Sequence, residues 1–415
     1  MKCGLIGKTL KHSYSPQIHS MLGGYTYDLI ELKDEVELEN FVKNGEYDAY
    51  NVTIPYKKAV IKFLDVVSPL AIKIGAVNTV VKKGGKLYGY NTDFWGMKFM
   101  LSSAGINLDG KKVMILGSGG TSNTARVVAS ECGAKEVVIV SRTGDVNYQN
   151  CYDLTDTEVI INTTPAGMYP DSFNAPIDVE KFKNLTGVAD VIYNPSLTKL
   201  AYMAKQKGIA TATGLSMLVA QAKYARDLFL GFSNKGFSDD NKIISPVVDD
   251  ILRETNNIIL IGMPGSGKST VGKKLADLTG KKFIDTDELI VKTTNKSIPE
   301  IFSACGEEVF RDLEEQALET AVNERGAIIA TGGGIIKREK NHYLLSSNGK
   351  VVWLQRDLFS LSTKDRPLSK SVKELEKIYL ERKDLYRQCA DFTIVNDKSV
   401  NEIAKEIANR CEYLL

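Results

Sequence analysis

One segment constrains the fold of this 415-residue chain more than any other. Residues 257–261 form the apolar run NIILI, residues 262–270 read GMPGSGKST, and helical spacing follows. A strand, a loop of the pattern GxxxxGK[ST] and a helix, in this order, predict a loop whose backbone N–H groups bind phosphate. We expect the residues that bind the nucleotide to be Gly265, Ser266, Gly267, Lys268, Ser269 and Thr270. The sequence therefore predicts an α/β domain that binds a nucleoside triphosphate with Mg²⁺.

Short apolar runs alternate with helical patterns along the whole chain, for example GLIG at 4–7, VMILG at 113–117 and VVWLQ at 351–355. Such alternation predicts α/β layers around largely parallel sheets. Lys and Arg total 53 against 51 Asp and Glu, so no basic field favours nucleic acid. The six cysteines are scattered, which favours reduced thiols, and no apolar stretch resembles a signal peptide or a membrane span. We expect a cytoplasmic protein with small-molecule partners, either a monomer or a homodimer.

Pattern and composition predict two boundaries and three domains. Residues 231–255 begin with the polar stretch GFSNKGFSDDNK and are interpreted as a linker and terminal helix. From Lys112 onward, a strand, a glycine turn and a helix are typical of a dinucleotide-binding unit. We expect a substrate-binding domain at 1–101, with helices from 215–254 packed on it, a Rossmann-like domain at 102–230 and a phosphate-loop domain at 256–415.

Polar motifs follow the phosphate-binding loop. Asp285 and Asp287 follow an apolar run, so one carboxylate could hold Mg²⁺ and the other could accept a proton, although helix capping explains them equally well. Arg311 and Glu314 lie three residues apart on one predicted helix face, which suits an arginine held for an anion. The glycines at 332–334 allow close approach of a ligand or simply a tight turn.

Together with RPL at 366–368 and ERKDLY at 381–386, these motifs resemble the shikimate kinase family in order and spacing. The resemblance implies ATP-dependent phosphorylation of the 3-hydroxyl of shikimate, a carboxylated cyclohexene triol. It implies Arg311 and Arg382 for the carboxylate, Asp287 for the reacting hydroxyl, Gly333 and Gly334 for the ring hydroxyls, Ser269 and Asp285 for Mg²⁺, and Lys268 and Arg366 for the transferring phosphate. The lid at 359–369 is short and lacks the family's adenine-stacking arginine.

The glycine turn at 117–120 lies between a strand and a helix, but its spacing is GxGGxxxA rather than GxGxxG. A glycine turn of this kind could also form without a ligand. Arg142 follows the next strand, where enzymes that use NAD carry an acidic residue for the ribose. Unless it is an ordinary surface arginine, Arg142 therefore indicates a 2′-phosphate and hence NADP(H).

Polar clusters precede this turn at 13–16 (SYSP), 51–57 (NVTIPYK) and 91–93 (NTD). Ser15 stands before a proline, a position that is typical of a helix N-cap. Together the clusters supply donors and acceptors for a polyhydroxylated ring, and a Lys57–Asp93 pair that could move a proton.

With NTTPAGM at 162–168, DVIYNP at 190–195 and GLSMLVAQ at 214–221, the clusters resemble the shikimate dehydrogenase family across nearly all of residues 1–254. The resemblance implies reduction of 3-dehydroshikimate to shikimate by NADPH, with Lys57 and Asp93 as the catalytic pair. The substrate residues it implies are Ser13, Ser15, Asn51, Thr53, Asn78, Tyr193 and Gln221. The NADP(H) residues it implies are Gly117, Gly119, Gly120, Ser141, Arg142, Thr143, Gly214 and Met217. The polar crossover at 143–158 is shorter than in the family.

The sequence thus predicts a bifunctional enzyme of two shikimate activities. One alternative is a kinase whose N-terminal half is a non-catalytic sensor of shikimate or quinate. A second alternative keeps both activities but lets the dehydrogenase half accept quinate or the kinase half another small acid.

Overall fold

The computed structural model describes residues 1–10, 13–232, 240–358 and 372–412. The chain divides into two compact units, residues 1–193 with 198–249 and residues 194–197 with 250–415. Three β-sheets form the cores of these units. The predicted α/β class is confirmed.

The first sheet contains six strands: β1 (Lys2–Gly7), β2 (Thr26–Glu31), β3 (Ala49–Val52), β4 (Val66–Val67), β5 (Thr79–Lys83) and β6 (Lys86–Tyr90). Their order is β2-β1-β3-β5-β6-β4, and β5 runs antiparallel to β3 and β6, so this sheet is mixed. Its helices are α1 (Ser15–Leu22), α2 (Glu35–Asn44), α3 (Pro69–Ile74) and α4 (Asp93–Ser103). Buried β3 places Asn51 near its carboxyl end.

The second sheet is entirely parallel, in the order β11-β10-β9-β7-β8. Its strands are β7 (Lys112–Leu116), β8 (Glu136–Val140), β9 (Val159–Asn162), β10 (Gly187–Asp190) and β11 (Ala210–Thr213). The helices here are α5 (Gly120–Glu131), α6 (Lys199–Gln206) and α7 (Gly214–Phe229). Between β8 and β9, residues 141–158 contain one 3₁₀ turn at Cys151–Asp153 in place of an α-helix.

Helix α7 returns to the first sheet, where Ala225 and Phe229 pack against Cys3 and Ala49. It also lies directly against α4. A side chain at Gly96 would place its Cβ 2.7 Å from the backbone oxygen of Met217, so only glycine permits this approach. The close packing fixes α7 beside the first turn of α4.

The second unit is built on a parallel sheet in the order β13-β14-β12-β15-β16. Its strands are β12 (Asn257–Ile261), β13 (Lys282–Asp285), β14 (Ala327–Ala330), β15 (Gly349–Gln355) and β16 (Phe392–Val395). Helix α8 (Asp240–Thr255) begins in the first unit, which ends at residue 249. The helices that follow are α9 (Lys268–Thr279), α10 (Thr286–Thr294), α11 (Ile298–Val322), α12 (Glu339–Ser347), α13 (Val372–Cys389) and α14 (Val400–Arg410). Strand β12 is central and fully buried, so the loop after it opens at the carboxyl edge of the sheet.

The apolar pattern missed three strands, β4, β6 and β11. Strand β4 has only two residues, β6 contains Lys86 and Gly89, and β11 reads ATAT, so none of them forms a long apolar run. Within the described ranges, no helix has the length and apolar character needed to cross a membrane.

Candidate active sites

A cleft of about 450 Å³ in the first unit is lined by residues of β3, α4 and α7 and the loops beside them. All nine polar residues predicted for the substrate and the proton transfer line it: Ser13, Ser15, Asn51, Thr53, Lys57, Asn78, Asp93, Tyr193 and Gln221. Gly214 and Met217 line the same cleft. The fold therefore gathers residues from distant parts of the sequence into one site.

The centre of this cleft is an ion pair between Lys57 and Asp93, with 2.6 Å from Nζ to Oδ2. Both side chains are partly exposed to the cleft, so the ammonium can still reach a ligand. Asp93 is the first residue of α4, where the helix dipole stabilises a carboxylate. Its other oxygen, Oδ1, accepts a hydrogen bond from Asn78 Nδ2 at 2.9 Å. The ammonium is thus held at a fixed place on the wall of the cleft.

Two buried asparagines are held behind this pair. Asn78 Oδ1 accepts a hydrogen bond from the backbone N–H of Thr92 at 2.7 Å, which fixes the orientation of the amide. Asn51 Nδ2 donates to the backbone oxygen of Asn78 and to Thr79 Oγ1, and Asn51 Oδ1 accepts from Tyr27. These contacts fix the Asn51 amide at the wall of the cleft.

The interpretation of Ser15 as a helix N-cap is wrong. Helix α1 begins at Ser15 itself, its N-cap position is Tyr14, and no side chain caps it. The Ser13 hydroxyl instead accepts a hydrogen bond from the backbone N–H of Ser15 at 3.2 Å. Ser15 lines the wall of the cleft, and its side chain hydrogen-bonds with Tyr27 rather than capping the helix.

A second cavity of about 750 Å³ lies at the carboxyl end of the second sheet. Four of the predicted cofactor residues line it: Gly117, Gly119, Ser141 and Arg142. Gly120 and Thr143 are not part of its lining. Sequence reasoning did not assign three further lining residues: Tyr148 and Asp171, which stand in no motif, and Thr163, which lies in the NTTPAGM motif at 162–168.

The turn after β7 fits a dinucleotide. Gly117 has φ 103°, and a Cβ there would lie 2.9 Å from the side chains of Thr163 and Thr164. Gly119 has open space around its Cα, which leaves room for pyrophosphate at the start of α5. Thr121, one residue into α5, lines the substrate cleft, so the turn joins the two cavities. A cofactor with its phosphate end at Arg142 can reach the cleft across this turn.

The phosphate-binding loop of the second unit has its expected position between β12 and α9. Gly265 and Gly267 have φ values of 84° and 95°, which favour glycine and turn successive N–H groups inward. Lys268 is 7% exposed, and its Nζ donates to the backbone oxygens of Gly262 and Met263 at 2.8 and 3.0 Å. Asn396, which no motif indicated, donates to the backbone oxygen of Ser266 at 2.7 Å and supports the loop from the end of β16.

Asp285 has the capping role that was one of the alternatives left open by the sequence, and its other oxygen contacts Ser269. It is the N-cap of α10, where its Oδ1 accepts from the backbone N–H of Asp287 at 3.0 Å. Its Oδ2 accepts from Ser269 Oγ at 2.6 Å. A carboxylate and a hydroxyl in contact beside a phosphate loop fit the oxygen ligands that Mg²⁺ prefers, with phosphate and water supplying the rest.

Two buried arginines lie against the glycine turn at 332–334. Arg311 and Arg382 are each 6% exposed. Arg311 Nη1 lies 2.5 Å from Glu314 Oε2, and Arg382 Nη1 donates to the backbone oxygen of Gly333 at 2.8 Å. Burial raises the pKa of the Glu314 carboxyl. Two arginine forks at one place suit a ligand that carries a carboxylate.

Three glycines bring this site together. A Cβ at Gly332 would lie 2.3 Å from Glu314 Oε1 and 3.0 Å from Asp287 Oδ1. A Cβ at Gly334 would lie 2.0 Å from Arg311 Nη1. The backbone turn therefore passes directly over the carboxylates and the guanidinium, which accounts for the absence of side chains at these positions. Arg366 and the lid at 359–369 lie outside the described residues.

Family models match both parts of the chain. A model described as shikimate kinase matches residues 264–412, and one described as the shikimate dehydrogenase substrate binding domain matches residues 5–80. A shikimate dehydrogenase (NADP(+)) of Clostridium perfringens is 36% identical over 250 residues, covering 55% of this chain and 92% of that protein. One from Caldicellulosiruptor saccharolyticus is 37% identical over 262 residues, covering 56% and 93%.

Solved structures agree with these matches. Shikimate dehydrogenase 1 from Peptoclostridium difficile has a TM-score of 0.54 and 33% identity, covering 60% of this chain and 98% of that one. The shikimate 5-dehydrogenase from Thermus thermophilus, solved with NADP(H) and shikimate, has a TM-score of 0.53 and 27% identity, covering 60% and 99%.

Proposed function

The chain belongs to the shikimate dehydrogenase family through its N-terminal part and carries a shikimate kinase domain, and from this premise we propose that it catalyses two consecutive reactions. The first unit reduces 3-dehydroshikimate to shikimate with NADPH. The second unit phosphorylates the 3-hydroxyl of shikimate with ATP and Mg²⁺. The product of the first reaction is the acceptor of the second.

In the first reaction, NADPH supplies a hydride to the carbonyl carbon of the substrate. The carbonyl oxygen gains negative charge, and Lys57 gives it a proton from the fixed position beside Asp93. Asp93 keeps the ammonium oriented and can accept a hydrogen bond from a neighbouring ring hydroxyl. Ser13, Ser15 and Thr53 bind the carboxylate, while Asn51, Asn78 and Gln221 bind the hydroxyls, with Tyr193 at the wall.

In the second reaction, the 3-hydroxyl of shikimate attacks the γ-phosphorus of ATP and the bond to the β-phosphate oxygen breaks. Asp287 orients the hydroxyl and takes its proton, while Lys268 stabilises charge on the transferring phosphate. Ser269 and Asp285 would hold Mg²⁺, which neutralises the phosphates. Arg311 and Arg382 hold the carboxylate and so direct the ring.

The observation that carries this proposal is the presence, in one chain, of the Lys57–Asp93 cleft and a phosphate loop facing two buried arginines. The test supplies pure full-length protein with 3-dehydroshikimate, NADPH and ATP·Mg²⁺. Shikimate 3-phosphate should form, and its formation should require all three. Formation from added shikimate but not from 3-dehydroshikimate would refute the dehydrogenase half of the proposal.

The comparisons do not favour a non-catalytic sensor in the first unit, because the relatives it matches carry the names of enzymes. Binding of shikimate without any reduction of NADP⁺ at any pH would support the sensor instead.

Quinate should be a poorer substrate than shikimate, which a comparison of kcat/KM values for NADP⁺ reduction would check. We further propose a cytoplasmic monomer or homodimer with the domain bounds given above.

Arg142 should decide the choice between NADPH and NADH. It lines the cavity at the end of β8, where the ribose 2′-phosphate would lie. Arg142→Ala should raise the KM for NADPH by about 10-fold or more, since a charge-assisted phosphate contact is lost. The KM for NADH should change little. Equal changes in both KM values would mean that Arg142 does not contact the 2′-phosphate.

Gly334→Ala should disable the kinase while sparing the dehydrogenase. The added Cβ would fall 2.0 Å from Arg311 Nη1, and this arginine is buried and pinned by Glu314. We expect kcat/KM for shikimate to fall about 10²-fold, because a misplacement of about 1 Å has effects of that size. Release of ADP measures this, and NADPH oxidation by the same sample reports on folding. An unchanged kinase rate would show that Arg311 can shift freely.

A further inference from the structure

The carboxylate of Glu307 occupies one edge of the Arg311 guanidinium. Glu307 Oε1 lies 2.9 Å from Arg311 Nη2 and 3.3 Å from Nε. The same oxygen accepts a hydrogen bond from Lys337 Nζ at 2.8 Å. A single carboxylate oxygen of Glu307 thus accepts hydrogen bonds from Arg311 and from Lys337.

A substrate carboxylate would bind Arg311 along the edge that Glu307 occupies, formed by Nε and Nη2. Arginine binds carboxylates best through two parallel N–H groups, and Nε with Nη2 offers such a pair. The Nη1 side is taken by Glu314, whose side chain is only 1% exposed and therefore buried in the protein. Glu307 is 37% exposed and can move. A substrate carboxylate must therefore displace Glu307 rather than Glu314.

Two features allow Glu307 to move without losing its charge partner. Gly306, directly before it, breaks α11 with φ 82° and ψ 176°, so the backbone is not helical at this point. Lys337 ends the 3₁₀ turn Ile335–Lys337 that follows the glycine turn, and its side chain is 43% exposed. Lys337 can hold Glu307 after the arginine is released, and it lowers the pKa of the Glu307 carboxyl, which therefore remains charged.

We propose that Glu307 occupies the place of the substrate carboxylate on Arg311 in the free enzyme, and that Lys337 holds Glu307 aside when shikimate binds. This inference rests on the proposed kinase function. Glu307 and Lys337 act through Arg311 and are positioning residues. Without Lys337, Arg311 lies between two carboxylates and the site repels an anion.

The test measures release of ADP from shikimate and ATP·Mg²⁺ by the full chain, without NADP⁺, so that the dehydrogenase half cannot consume shikimate. Lys337→Met should raise the KM for shikimate about tenfold, equivalent to about 1.4 kcal/mol. Its kcat should stay within about twofold, since only substrate binding is weakened. Lys337→Arg should restore the KM. Lys340→Met is the matched control, because Lys340 pairs with Glu315 and Glu319 and not with Glu307.

Glu307→Gln separates this exchange from a merely structural role. Removing the competing charge should lower the KM for shikimate about threefold, whereas loss of a structural support for Arg311 would raise it. An unchanged KM in Lys337→Met, or a raised KM in Glu307→Gln with normal NADPH oxidation, overturns the inference alone. A wild-type chain that does not phosphorylate shikimate overturns the proposed function itself.

Discussion

Lys57→Ala should reduce the rate of NADPH oxidation by 3-dehydroshikimate about 10²- to 10⁴-fold, the range typical of a lost general acid. The structure supplies the reason. Lys57 Nζ lies 2.6 Å from Asp93 and borders the substrate cleft, and no other lysine among the described residues lines that cleft. The loss should appear in kcat, because proton donation is needed only as charge develops on the oxygen. Loss of NADPH absorbance measures it.

The neighbouring lysine provides the control. Lys58 is exposed and does not line the cleft, so Lys58→Ala should retain the wild-type rate. Phosphorylation of added shikimate by Lys57→Ala should remain normal, which shows that the chain is folded. A Lys57→Ala chain that keeps most of the wild-type kcat would exclude Lys57 as the proton donor.

Lys268→Ala should give the reciprocal result, a loss of about 10²- to 10³-fold in kcat for shikimate phosphorylation. The Lys268 ammonium is buried at the mouth of the phosphate loop and donates to two loop oxygens. A bound nucleotide offers it phosphate oxygens instead, and the charge that it stabilises is greatest during transfer. The release of ADP measures the change.

Lys273→Ala is the matched control for this change, because Lys273 lies on the same helix with its side chain exposed. Reduction of 3-dehydroshikimate should be normal in both variants. If Lys268→Ala instead lost both activities together, the change would have unfolded the chain or the two sites would not be independent.

Local motifs predicted the phosphate loop because its chemistry is set by adjacent residues. The loop needs glycines that allow positive φ, a lysine and a hydroxyl at adjacent positions. The phosphate-binding site can therefore be recognised from the sequence before the fold is known. The glycine turn at 117–120 and the strand before it are also formed by adjacent residues, so the sequence predicts them in the same way. The α/β class also follows from local pattern, since buried parallel strands require apolar runs.

The substrate sites differ from the phosphate loop, because their residues are distant in sequence and meet only after folding. Lys57 and Asp93 are 36 positions apart, and the sequence paired them by residue type and by family resemblance rather than by spacing. Ser15 shows the limit of a local rule, since proline at the next position predicts a cap that the structure does not contain. Tyr148 and Lys337 stand in no motif, and their positions beside Arg142 and Glu307 depend on the packing of separate loops.

By itself, the sequence determined the α/β class, the phosphate loop and the glycine turn, because each is encoded by neighbouring residues and by the short range of backbone sterics and hydrogen bonds. Only the tertiary structure decided which carboxylate on Arg311 is exposed, which groups hold the Asn51 amide and which lysine faces Glu307. These properties depend on distances of about 3 Å between distant segments, which close packing fixes and sequence spacing does not express.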